Sequence, residues 1–112
     1  MTTDVQQFEA HLPAFLSQFA LALRAGYSVG QIVEGLGTEM PEPIVQALRQ
    51  VDAEVKAGMP LADAFDHWLA RTPHEALNLF VATLKAQRQT GGNLADKLDW
   101  LGQILPYRQK IV

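Results

Sequence analysis

Apolar residues recur at steps of three and four along almost the whole chain. Phe8, Leu12, Phe15, Phe19 and Leu23 make a first stripe, and Val29, Ile32, Val33 and Leu36 a second. Ile44, Leu48, Val51 and Val55 make a third, and Leu61, Ala64, Phe65, Trp68 and Leu69 a fourth. Leu77, Phe80, Val81 and Leu84 follow, then Leu94, Leu98, Leu101 and Leu105. Each stripe is one face of a 3.6-residue period, and no stretch alternates with period two for long enough to predict a strand. The pattern predicts an all-α fold, a bundle of about six helices.

The breaks between stripes carry helix punctuation. Ser28 with Gln31 and Thr72 with Glu75 read as capping boxes, with Pro73 at a first helical position. Pro41, Pro43 and Pro60 belong in first turns or just before them. Pro13 has two readings: it kinks the first helix, or a short N-terminal helix ends near His11. Gly26, Gly58 and Gly91 each follow a helical run and suit the left-handed position that closes a helix.

Those three glycines head similar segments. "AGYSVGQIVEGL", "AGMPLADAFDHWL" and "TGGNLADKLDWL" align position by position, with Gly58 32 residues after Gly26 and Gly91 33 after Gly58. Each reads as a helix-turn-helix corner, so the six helices form three similar corners. Gly91 and Gly92 do not read as a phosphate loop. No Lys-Ser/Thr follows them and no strand precedes them. Asn93 reads as an N-cap with Asp96 three residues on, and Asp96 and Asp99 would oppose an anion there.

Composition narrows the function classes. The 112 residues make one domain, and 48% hydrophobic with 19% charged residues marks a globular chain. The net charge is −3 and no Lys/Arg cluster supplies a basic face, which argues against nucleic acid as a partner. Without cysteine there are no disulfides or thiolate metal sites. No apolar run reaches the roughly 18 residues that span a bilayer, and "MTTDVQQFEAH" lacks the basic start of a signal peptide. The chain as it stands is expected to be soluble.

Few residues suggest chemistry. Asp63 and His67 stand four apart with Asp66 adjacent, but no third metal ligand follows from the sequence. Ser17 and Ser28 belong to no nucleophile motif. No catalytic, cofactor or metal site is expected. Asp52, Glu54, Asp63, Asp66, Asp96 and Asp99 read as a solvated face or as a docking surface for a basic partner. Trp68 reads as core. Trp100 and Ile104 widen the last helix's apolar face, which suits a partner or a homo-oligomer contact.

"LPAFLSQFALALRAGYSVGQIVEGL", "VKAGMPLADAFDHWLARTP" and "LFVATLKAQRQTGGNLADKLDWLGQIL" together resemble the type II secretion system F domain, over about Leu12 to Leu105. They are most similar to the single-domain platform proteins of Tad/Flp pilus systems. The resemblance implies a non-enzymatic helical domain on the cytoplasmic side of the bacterial inner membrane. It implies an assembly ATPase and other platform or pilus components as partners, and a role in pilin-like subunit polymerisation. It makes Gly26, Gly58, Gly91 and Gly92 structural turns and places Arg88 in a recurrent segment. The family carries membrane spans and this chain has none, so residues 1–112 are expected to be one helical domain of a longer membrane protein. Tyr107, Arg108 and Lys110 before Ile111 and Val112 suit a cytoplasmic membrane border. The rival reading is a soluble helical-repeat adaptor that binds a peptide or protein.

Overall fold

Six helices follow one another: α1 (Asp4–Arg24), α2 (Val29–Leu36), α3 (Ile44–Lys56), α4 (Leu61–Arg71), α5 (Glu75–Thr90) and α6 (Leu94–Ile111). The computed structural model describes residues 4–36, 40, 42, 44–90 and 93–111, with side chains for 8–35, 40, 42, 44–86 and 93–104. No strand occurs among the described residues. The all-α expectation holds.

The stripes face inward. Phe8, Leu12, Phe15 and Phe19 of α1 are buried, as are Ile44, Leu48 and Val51 of α3 and Leu77, Phe80 and Val81 of α5. No polar or charged residue is buried among those described. Phe80 is an aromatic hub. Its ring centroid lies 5.3 Å from Phe15, 5.4 Å from Phe19, 5.7 Å from Phe65 and 6.4 Å from Trp68, all edge-on. Edge-to-face packing sets the positive ring edge against the negative face and adds to the area each ring buries. Trp68 is core, as expected.

Pro13 does not end the first helix. It lies inside a continuous α1. A proline there costs about 3 kcal/mol through a lost hydrogen bond and a ring clash. Leu12, Phe15 and Leu16 beside it are all fully buried. Each returns roughly 1.5–3 kcal/mol, so packing outweighs the break.

Consecutive helices pack on one another, and the most extensive pairing is between α1 and α6. The chain therefore closes on itself. An open stack, where each unit touches only its neighbours, would keep the first and last helices apart. The two run antiparallel. Arg24, at the end of α1, meets Asp96 near the start of α6. Further along, Gly102 lies against Leu16 and Pro13. The start of α1 and the end of α6 thus lie at the same end of the pair.

The turns at Gly26 and Gly58 have the same hydrogen bonds. The Gly26 N–H donates to Leu23 O at 3.0 Å and the Tyr27 N–H to Ala22 O at 3.2 Å. The Gly58 N–H donates to Val55 O and the Met59 N–H to Glu54 O, both at 3.0 Å. This is the Schellman pattern, and it needs a left-handed residue. Gly26 supplies φ +100° and Gly58 φ +109°. Gly91 and Gly92 lie outside the described residues.

The helix starts are capped in different ways. Ser28 and Gln31 form the expected box: Gln31 Oε1 accepts the Ser28 N–H at 2.9 Å and Ser28 Oγ accepts the Gln31 N–H at 3.2 Å. Asn93 Oδ1 accepts the Asp96 N–H at 3.2 Å. Thr72 is not the N-cap of α5, which begins only at Glu75. The Thr72 N–H still donates to Trp68 O at 2.9 Å, so Thr72 closes α4. His74 caps α5 instead, its Nδ1 accepting the Ala76 N–H at 3.1 Å. Pro73 consequently lies before α5, not at its first position.

Candidate interaction surface

Arg24 and the α6 carboxylates are where the α1–α6 seam is tied. Arg24 is the last residue of α1, and Asp96 and Asp99 stand three apart on one side of α6. Arg24 Nη2 lies 2.6 Å from Asp96 Oδ1, while Nη1 bonds Asp99 Oδ2. A planar guanidinium can hold two carboxylates at once. Hydrogen bonding, first to Asp96 and then to Asp99, raises the Arg24 pKa above its ordinary value. Both acids expected on a docking face are therefore engaged within the chain.

Other acids are also paired. Asp66 binds Lys85 Nζ through both oxygens, at 2.6 and 2.8 Å. Asp52 lies 2.9 Å from Lys56, whose pKa is raised chiefly by that bond. Glu54 Oε2 lies 3.0 Å from His67 Nδ1 and 3.7 Å from Arg71. These exposed pairs add little stability singly, but they convert an acidic surface into alternating charge. Asp63 is exposed on α4.

His67 turns to Glu54, and no group of three or more His, Cys, Asp or Glu residues suited to a metal ion occurs among the described residues. Trp100 is 60% exposed, whereas Ile104 packs against the core, so the two do not form one free stripe. The Arg88 side chain lies outside the described residues.

Sequence reasoning missed a cleft. An apolar hollow of about 150 Å³ is bordered by Val29, Leu61 and Leu94. These are the first residues of α2, α4 and α6. They also occupy the same position in the three aligned segments, the aliphatic residue after each turn. Phe65, Val81 and Leu84 line it too, with Ala62 and Lys85. The alignment shows their equivalence; only the packing brings them together. With Val29 just past the end of α1 and Leu94 at the start of α6, the cleft lies at the opposite end of that pair from the start of α1 and the end of α6.

Among the described residues no helix is long and apolar enough to cross a membrane. The chain has no match among curated proteins or solved structures. A family model does match, described as type II secretion system (T2SS), protein F, over residues 15–111. That match runs from the middle of α1 to the end of α6, and the chain belongs to the type II secretion system protein F family.

Proposed function

We propose that this chain is a cytoplasmic domain of an inner-membrane platform protein of the Tad/Flp pilus type. Family members are non-catalytic platform proteins that work with an ATPase and other secretion components. Here the domain couples an assembly ATPase to pilin-like subunit polymerisation. The observation that carries the reading is the family match over residues 15–111. The antiparallel α1–α6 pair supports it, since adjoining membrane segments would leave from one end of the domain. A closed bundle tied at that seam can pass movement between its far end and those segments as a rigid body.

The test is direct binding between the purified chain and the assembly ATPase encoded with it. A saturable complex is expected, along with a changed ATP hydrolysis rate. No complex at micromolar concentrations, together with unchanged hydrolysis, would overturn the coupling role.

A further inference from the structure

We infer that α1 and α6 share a hinge at one level of their seam, so that the parts of both helices beyond it swing together against the rest of the bundle. The cause is covalent. Pro13 lies inside α1 and Pro106 inside α6. A proline has no N–H, and its ring presses on the carbonyl four residues back. The helical bonds to the Glu9 and Gly102 carbonyls are therefore missing. Both breaks fall at the same height. A Cβ built on Gly102 would stand 3.5 Å from the Pro13 carbonyl oxygen, so these two positions face each other. The helices run antiparallel, which sets the turn 9–13 opposite the turn 102–106. Glycine at 102 loosens that turn further, being a weak helix former. Sharp bends in helices occur at such positions. One break bends one helix, whereas two facing breaks make a joint in the pair.

The two sides of the joint are held differently. Towards the Arg24 end, Phe15, Leu16 and Phe19 are fully buried and Arg24 grips Asp96 and Asp99, so this side is the rigid body. On the other side, two neighbouring residues latch α1 to the corner between α4 and α5. Phe8 meets Trp68 edge-on at 6.1 Å and His74 at 5.4 Å. Glu9 Oε1 lies 2.7 Å from His74 Nε2. His74 also caps α5 through its other ring nitrogen. A swing that draws Phe8 and Glu9 away is therefore felt at Trp68 and at the start of α5. This is a hinge with a latched closed position, and a few positions absorbing the motion is how such hinges work. It does not depend on the platform reading.

Native-state hydrogen exchange on the whole chain tests this. Amides 8–12 and 107–111 should open about tenfold or more as often as amides 15–24 and 97–105, as a sub-global unit does. Fraying would loosen each helix end by itself, so the decisive readout is coupling between the two. Pro13→Ala, which restores the bond to the Glu9 carbonyl, should slow exchange about tenfold at 107–111 as well as at 8–12. Pro106→Ala should slow exchange at 8–12 as well as in its own helix. Neither change should lower Tm, since alanine favours the helix. Glu9→Ala should hasten exchange at both ends and shift the Trp68 indole N–H signal, identified with Trp100→Phe, while amides 15–24 stay as they were. A proline whose replacement affects its own helix alone overturns the inference, because the ends then move separately. Equal protection on both sides of the joint overturns it too. Exchange and a Trp68 signal indifferent to Glu9→Ala overturn the latch.

Discussion

Arg24 and Asp96, 72 positions apart in the chain, meet at 2.6 Å across the seam between the first and last helices. The guanidinium holds Asp99 as well, so one side chain ties two turns of α6 to the end of α1. Arg24→Lys should lower Tm, because an ammonium lacks the fork that binds two carboxylates. Arg24→Ala should lower it further. Both losses should shrink at about 1 M salt, where the Debye length falls to about 3 Å. Thermal melts at two ionic strengths check this, and equal losses at both would point to packing by the arginine stem.

That contact also marks where sequence reading stops. Phe8, Leu12, Phe15 and Phe19 are legible as core because burial repeats with the helical period. Ser28 with Gln31 is legible because both partners of the cap lie within four residues. Arg24 has no local signal for its partners, which lie on the last helix. Thr72 misleads for a similar reason. Its "TPHE" pattern suits a cap, but the N–H of Thr72 remains engaged by α4 and the cap passes to His74. The cleft falls between these cases. Val29, Leu61 and Leu94 are visibly equivalent in sequence, yet equivalence does not say that three helix starts converge.

Gly58 and Gly30 should respond in opposite directions to the same change. Nothing lies within 4 Å of a Cβ built on either, so space does not distinguish them. Backbone does. Gly58 has φ +109°, while Gly30 is in α2 without a positive φ. Gly58→Ala should destabilise by about 1–2 kcal/mol through left-handed strain. Gly30→Ala should stabilise by up to about 1 kcal/mol, because alanine loses less backbone freedom in a helix. Urea denaturation of the two variants measures both signs.

His74 should tolerate asparagine better than alanine. Its Nδ1 accepts the Ala76 N–H, so the proton of the neutral ring sits on Nε2, 2.7 Å from Glu9 Oε1. The ring also meets Phe8 edge-on at 5.4 Å. His74→Ala removes the cap of α5 and should cost about 1 kcal/mol from that loss alone. His74→Asn keeps a capping oxygen and should recover much of it. Denaturation midpoints compare the variants.

Lys56 gives the alkaline limb of stability a definite sign. Asp52 at 2.9 Å, and then Glu34 at 3.7 Å, hold its pKa above the ordinary 10.5. A group raised in the folded state stabilises fully below its unfolded value and loses that contribution as pH climbs through the folded one. Stability should therefore fall above pH 10.5, with Lys56 contributing to the slope. Lys56→Gln should flatten this limb and leave a lower plateau at neutral pH. Urea midpoints across the alkaline range provide the check, and an unchanged slope would rule the pair out as a contributor.

Gly102 limits how closely the closing helices approach. A Cβ placed there would stand 3.5 Å from both Leu16 Cβ and Pro13 O, which is ordinary contact. Alanine should therefore fit, and by helix propensity should stabilise by up to about 1 kcal/mol. Leucine at this position has to displace the α1 backbone beside Pro13 or push α6 outward. Overpacking of this kind costs about 1–3 kcal/mol. Because the α1–α6 seam is the largest in the bundle, Gly102→Leu should also loosen the contact between Arg24 and its two acids. Urea denaturation gives the stability of each variant. Hydrogen exchange at the α1 amides then distinguishes a local shift from an opened seam: protection lost only around Pro13 indicates the former, and protection lost as far as Arg24 the latter, which is the expected result.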